Sequence, residues 1–430
     1  MPHHDVPLWS LIPFVFMLGA IAVMPLAANH WWEHNLNKLY VALGLGIPMS
    51  IYLIADGHWH ELEHALLFDY VPFLILLGAL FIITGGVRIT GDIEAKPLTN
   101  TIFLGIGAVL ASLMGTTGAA MLLIRPVLQT NQERKYEVHT VLFFIGAVAN
   151  CGGLLTPLGD PPLFILYLRG VPFEWFLQLV PQWLMTNLLI LIVFYAVDTY
   201  YYGMESQEAI KRDIEQIQPI RMEGTLNLVF LFGVVLSVAF LNEQYIELFK
   251  TTPAAKFIRE AVIVALSAAA YFTTAKSIRE SNKFTFAPIE EVAYLFLGIF
   301  ITMVPCILYL EANAKSLGVT SAVQFYYATG ALSAVLDNTP TAVTFYSLAL
   351  GLGANAPQMM AGVPEITLKA ISIAAVFFGS LTYIGNGPNF MVKAVAEENG
   401  LKMPDFFAYI YKFSLVVLLP IFIIVQLVYF

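Results

Sequence analysis

Apolar runs long enough to cross a hydrocarbon core of about 30 Å recur from one end of this chain to the other. In lipid a backbone must satisfy its own hydrogen bonds, so such runs are helices or closed barrels, and runs of this length read as helices. They fall at 8–28, 38–55, 66–87, 138–168, 176–197, 225–241, 258–275, 289–310, 368–395 and 407–430. Two further apolar stretches, 98–128 and 319–351, are too long for one helix and too short for two spans with a loop. Each carries polar, Gly or Pro residues near its middle: Gly115-Thr116-Thr117-Gly118 in one, Asp337-Asn338-Thr339-Pro340 in the other. A re-entrant hairpin fits both, because its exposed tip backbone is tolerated only against a polar cavity. The expected fold is an all-α polytopic membrane protein, with about ten transmembrane helices plus two re-entrant hairpins.

Composition agrees. Of the 430 residues 58% are hydrophobic and 12% charged, against about 25% charged in soluble chains. The net charge of −9 therefore says little about partners. The Phe and Tyr residues read as lipid-facing packing and interface belts, not a nucleic-acid surface. Cys151 and Cys306 lie in apolar segments, as buried thiols do. The first run, 8–28, has no Lys or Arg before it and no small-residue cleavage site after it, and reads as a retained span.

Two spans are interrupted. One reads Asn150-Cys151-Gly152-Gly153-Leu154-Leu155-Thr156-Pro157-Leu158-Gly159-Asp160-Pro161-Pro162, the other Gly379 through Asn389 with Pro388 inside. Proline removes a donor and clashes with the preceding turn, so neither is continuous helix. The interruptions repeat: Leu155-Thr156-x-x-Gly159-x-x-Pro162-x-Phe164 matches Leu381-Thr382-x-x-Gly385-x-x-Pro388-x-Phe390. Leu77-Gly78-x-x-Phe81 resembles Leu297-Gly298-x-Phe300, and Val171-Pro172 answers Met403-Pro404. The expected organisation is a first repeat at 1–198, a linker at 199–224 and a second repeat at 225–430. Each repeat has three spans, a hairpin (98–128 or 319–351), a broken span (138–168 or 368–395) and a final span.

Lys and Arg orient the repeats. With the N-terminus outside, Lys38, Arg88, Lys96, Arg134, Lys135, Lys211, Arg212, Arg221, Lys276, Arg279, Lys283, Lys393, Lys402 and Lys412 face the cytoplasm. Arg169, Lys250, Lys256, Arg259 and Lys315 face outside, which obeys the positive-inside rule. The second repeat then starts from the opposite side, so the repeats are inverted, as in many secondary transporters.

Membrane-embedded acids are functional candidates. Asp337 at the second hairpin tip and Asp160 in the first break lie deep; Asp69, Asp198, Glu260, Glu290 and Glu291 fall at span ends, where the interface can solvate them. Asp337 and Asp160 could also simply cap half-helices. Asn338, Thr339, Thr116, Thr117, Asn150, Thr156, Ser380, Thr382, Asn386 and Asn389 all fall at the breaks. Such neutral oxygens suit a small hard cation. His60-Glu61-Leu62-Glu63-His64 matches the zinc-hydrolase pattern, but it reads as a short polar loop outside the membrane with no third ligand. Arg125 and Lys393 could bind an anion, although both can snorkel to the cytoplasmic surface.

At these motifs the chain resembles the ion transporter superfamily of sodium/proton antiporters, arsenite permeases, citrate carriers and divalent-anion/sodium symporters. Leu332 through Pro340 looks like the second-hairpin Asp-Asn-x-Pro motif of the antiporter and arsenite branch; Asn150 through Pro162 and Thr382 through Asn389 look like its two breaks. Gly115-Thr116-Thr117-Gly118, Thr156 through Pro162 and Ile384 through Phe390 are similar to stretches of bacterial proteins described as sodium/proton antiporters or citrate transporters. One departure stands out: Gly115-Thr116 replaces the Asp-Asn pair of the antiporter branch at the first tip. The resemblance implies a homodimer with a scaffold domain and a moving transport domain.

The expectation is a secondary transporter of the bacterial inner membrane, not an enzyme and without a resident cofactor. It would exchange Na⁺ or Li⁺ for H⁺ by alternating access, with Asp337 at the second hairpin tip as the carboxylate that holds either the proton or the cation, because burial disfavours its bare charged form. A citrate or dicarboxylate carrier coupled to H⁺ or Na⁺ is the alternative within the class; a zinc protease built on His60 and His64 is the remote one. The topology is open to test. Cysteine placed at Ser206 should resist an impermeant thiol reagent in intact cells, and ready labelling there would reverse the orientation.

Overall fold

The computed structural model describes residues 6–430. Its helices are α1 (Ile12–Ala27), α2 (Asn35–Ala55) and α3 (Val71–Thr84), then strand β1 (Arg88–Asp92). The hairpin arms α4 (Pro97–Met114) and α5 (Thr116–Thr130) follow, then α6 (Val138–Ala147) and α7 (Pro161–Leu168) of the first broken span, and α8 (Val180–Tyr202). The linker holds α9 (Gln207–Glu215) and β2 (Gln218–Glu223). The second half runs α10 (Leu226–Phe240), α11 (Phe257–Thr273), α12 (Ala287–Asn313), hairpin arms α13 (Ala322–Ser333) and α14 (Asn338–Leu352), α15 (Glu365–Phe378), α16 (Gly387–Glu398) and α17 (Leu419–Tyr429).

Among the described residues eight stretches are long and apolar enough to cross a membrane, and one of them, Pro97–Met114, is a hairpin arm. The protein is thus an all-α polytopic membrane protein. Hydropathy anticipates about ten spans; of these, α10 at 15 residues and α11 at 17 fall short of the membrane-crossing length.

The packing divides the helices. α12 lies against α2, α1 and α14, and α3 lies against α11, α10, α5 and α7. The hairpin arms and broken spans pack among themselves, α13 on α15 and α14 on α7, with α8 against α4, α6 and α17. The outward faces of α1, α2, α8 and α10 expose large apolar residues such as Phe16, Ile51, Ile192 and Phe232, as lipid contact requires.

One correction concerns the His60–His64 run. It forms a helix, Trp59–His64, that continues through a wider π turn at Ala65–Tyr70 into α3. The chain turns earlier, at Gly57, whose φ of 88° suits glycine. His60 faces Glu63 at 3.7 Å and His64 faces Asp69 at 3.7 Å.

Charge is sorted to the two faces. On the face bearing the linker, β1 pairs antiparallel with β2, and Asn282 donates to the Gly85 and Val87 carbonyls. Asp198 is buried there against Arg134 (2.6 Å) and His139 (2.8 Å). On the opposite face Asp69 is buried against Arg169 (2.6 Å), and Glu260 against Arg259. Asp69, Asp198 and Glu260 were expected to be solvated at the interface; each instead has a cation within ion-pair distance, which makes burial tolerable.

The linker face also gathers acids. Asp213 accepts from the Ala95 amide at 3.0 Å, Glu205 accepts from the Lys135 and Tyr136 amides, and Gln132 reaches Asp92. Burial raises Asp92 and Asp213, and it pushes Glu137, beside Glu133 and Glu205, up to about 7 despite Arg134. A carboxyl that holds its proton more tightly folded than unfolded favours the fold at low pH. That contribution fades as pH rises through the folded value. Thermal unfolding of the purified protein should therefore occur at lower temperature at pH 8 than at pH 5.5, with a smaller difference in Glu137→Gln. An unchanged difference would show that Glu137 does not contribute.

Candidate functional site

Both hairpins and both broken spans leave helix ends deep in the molecule, and side-chain bonds of the same kind close them. Gly115, at φ 82°, reverses the chain between α4 and α5, a backbone conformation natural to glycine. The Thr116 amide then donates to the Gly159 carbonyl at 2.8 Å, which ties the first tip to the first break. In that break the Thr156 hydroxyl donates to the Ser112 carbonyl and accepts from the Leu158 amide at 3.2 Å. In the other, the Thr382 hydroxyl donates to the Ala334 carbonyl at 2.6 Å and accepts from the Ile384 amide at 3.2 Å. Gly159 crowds the Gly153 carbonyl, and Gly385 likewise crowds that of Gly379.

Asp160 stands where these four breaks meet. Although it precedes α7, its side chain makes no capping bond. Its Oδ1 accepts from the Thr116 hydroxyl at 2.9 Å and from the Asn386 amide at 3.3 Å; its Oδ2 accepts from the Asn338 amide at 2.8 Å. The first tip, the second tip and the second break thus all donate to one carboxylate, which is 1% exposed. The donors are themselves held. Ser333 Oγ lies 2.7 Å from Asn338 Oδ1 and 2.7 Å from the Ala375 carbonyl, which points the Asn338 amide nitrogen at Asp160. Asn386 also donates to Asn150 Oδ1 at 3.1 Å, Asn150 to Asn389 Oδ1 at 2.6 Å, and Asn389 to the Thr382 carbonyl at 2.9 Å.

The remaining candidates lie around this web. Asp337 is half-buried and caps α14 through the Thr339 amide at 3.0 Å. Among the described residues the buried Thr339 hydroxyl has no hydrogen-bond partner, and Thr117 lines a cavity beside the first tip. Ser380 turns to the Phe377 carbonyl, outside the web. Ser112 and Ser333, a turn before each tip, are residues the sequence reading missed; the only signal was that both hairpins carry one there. Lys393 reaches Glu397 at 2.8 Å, away from the site.

Full positive charges stay at the faces: among the described residues neither Asp160 nor Asp337 has an ion-pair partner. The arrangement is one carboxylate among hydroxyls and amides, reached by half-helix ends of all four breaks. It can take a proton or a small hard cation.

A family described as "Putative citrate transport" matches residues 3–430. The chain belongs to this family. A transporter family and an apolar helical fold together make the protein a multi-pass membrane transporter rather than an enzyme. No curated protein matches the chain.

The glycine contacts at the breaks yield a test. A Cβ on Gly385 would stand 2.6 Å from the Gly379 carbonyl, and one on Gly159 closer still to that of Gly153. Gly159→Ala and Gly385→Ala should each lower thermal stability by about 1–3 kcal/mol or abolish folding. Gly387→Ala, whose Cβ meets nothing within 4 Å, should not. Equal melting temperatures for all three would remove the argument that the breaks are packed backbone to backbone.

Proposed function

We propose that the protein exchanges Na⁺ or Li⁺ for H⁺, and that Asp160 is the carboxylate for which the two compete. The observation that carries the reading is the convergence of Thr116, Asn338 and Asn386 on Asp160. A lone carboxylate out of water is costly unless it is neutralised, and the nearby groups are neutral dipoles that fit either occupant. Asp160 takes the place of the acid missing from the first tip, bonding to the Thr116 that stands there. Asp337, with the Thr339 hydroxyl beside it, is a second ligand position on the same rim. The matching bonds of Thr156 and Thr382 support two inverted repeats at 1–198 and 225–430, whose hairpins and broken spans move as one transport unit against α1–α3 and α10–α12. A homodimer in a bacterial inner membrane completes the proposal.

The family description favours a second reading, uptake of citrate or a dicarboxylate coupled to H⁺ or Na⁺. Half-helix N-termini would receive the anion, and Asp160 would bind the coupling ion.

Proteoliposomes separate the two. Internal pH is followed as Na⁺, Li⁺, K⁺ or citrate is added. Na⁺- and Li⁺-driven proton movement without citrate is expected. Asp160→Asn should abolish it, because an amide can neither take the proton nor offset the cation's charge, and loss of one partner of a buried charge pair costs about 3–5 kcal/mol, two to nearly four orders of magnitude. Asp337→Asn should be milder, since the amide can still cap α14. Full exchange by folded Asp160→Asn would sink the mechanism, and transport seen only with citrate would establish the second reading.

A further inference from the structure

Helix α5 is buried from Thr116 to Leu128 except at Thr117, Met121 and Arg125. These three are spaced four residues apart and so form one stripe along the helix. The stripe faces two cavities. The inner one, of about 80 Å³, has Thr117, Gly115 and Gly159 in its wall and reaches the first hairpin tip. The outer one, of about 50 Å³, has Met121, Arg125, Asn282 and Lys283 in its wall and lies toward the linker face. Both share Phe81 and Pro288, so these two residues form the neck between them. Phe81 is held there by the ring of Phe284, 5.2 Å away.

Arg125 is unlike the other deep cations. Arg134, Arg169 and Arg259 are each matched by an acid, and Lys283 at the same mouth faces Glu398 at 3.8 Å. Among the described residues Arg125 has no hydrogen-bond or ion-pair partner. Arg279, stacked on Phe284 of the outer cavity wall, also lacks an acid among the described residues, but it donates to the Ile82 and Ala270 carbonyls, so Arg125 is the cation there with neither an acid nor a hydrogen bond. A fixed charge in a narrow, low-dielectric channel concentrates ions of opposite sign and depletes those of like sign.

We propose that the stripe Thr117–Met121–Arg125 lines the route between the linker face and the Asp160 site, and that Arg125 is its charge selector. The guanidinium favours anions at the mouth and slows cations there, which suits the carboxylate anion of the second reading better than the Na⁺ of the first. This rests on Asp160 as the transport site, but the route can be tested without transport.

Met121→Cys, Thr117→Cys and a surface control, Gln216→Cys on the linker, are treated with methanethiosulfonates of similar size. One reagent carries a sulfonate and the other a trimethylammonium, and the buried Cys151 and Cys306 set the baseline. Inside-out and right-side-out vesicles are compared. Met121→Cys should react from the same side as the control. Relative to the control it should prefer the anionic reagent by about fivefold or more, within the range known for electrostatic steering. Thr117→Cys should react more slowly from that side. Arg125→Gln should bring the preference to about that of the control, and Arg125→Lys should keep it. Reaction of Met121→Cys or Thr117→Cys only from the other side would overturn the route. A preference unchanged in Arg125→Gln would overturn the selector. Route labelling as expected in a transport-dead Asp160→Asn would leave the route standing, so the two readings fail separately.

Discussion

One carboxylate sets the terms for the middle of this molecule. Asp160 is buried with neutral donors only, and three separate chain segments must reach it. Regular helices cannot supply such an arrangement, because their backbone groups are spent on one another and their side chains point outward. Four interruptions solve the geometry by bringing loop backbone and short polar side chains to the same depth. Each interruption frees backbone groups that would cost about 1–3 kcal/mol apiece if left bare. Thr156, Thr382, Ser112 and Asn389 bond to those groups. The polar web thus serves the broken backbone and the carboxylate together.

Charge is partitioned accordingly. Asp69–Arg169 and Arg259–Glu260 close one face, while Arg134–Asp198–His139 closes the other. Asp69–Arg169 and Arg134–Asp198 link segments far apart in sequence, while the adjacent Arg259 and Glu260 reach a distant segment through Tyr167. Tyr167 at the end of α7, for example, accepts from Arg259 of α11 and donates to the Val238 carbonyl of α10. Any movement of the broken spans against α3, α10 and α11 must exchange such bonds for others.

Much of this was legible in the sequence because lipid is a strict solvent. Hydropathy indicated the all-α membrane class and most of the apolar helices, and proline with glycine located the breaks. The candidate residues Thr116, Asn338, Asn386, Asn150 and Asn389 do assemble. The acid expected at their centre was Asp337, whereas the donors meet at Asp160 and Asp337 caps α14; Asp160 before Pro161 carries the same local pattern as a helix cap, which hid it. Only the tertiary meeting of Thr116 and Asn338 distinguishes it. The pairing of Asp69 with Arg169, 100 positions along the chain, was invisible for the same reason. The His60–His64 run was misread as a loop because its polar residues hide a helix that starts after Gly57.

The two breaks share a frame without sharing contents. Thr156 and Thr382 make the same pair of bonds, and Gly159 and Gly385 press on equivalent carbonyls. At the tips the residues diverge, Gly115-Thr116 against Asp337-Asn338. The frame constrains backbone, where any change disturbs packing; the tips bear side chains that point into shared space. Such a protein can alter its cargo through a few tip positions while its architecture stays fixed. A substitution at a tip therefore acts on the bonds to Asp160, while one in the frame acts on how the chain folds.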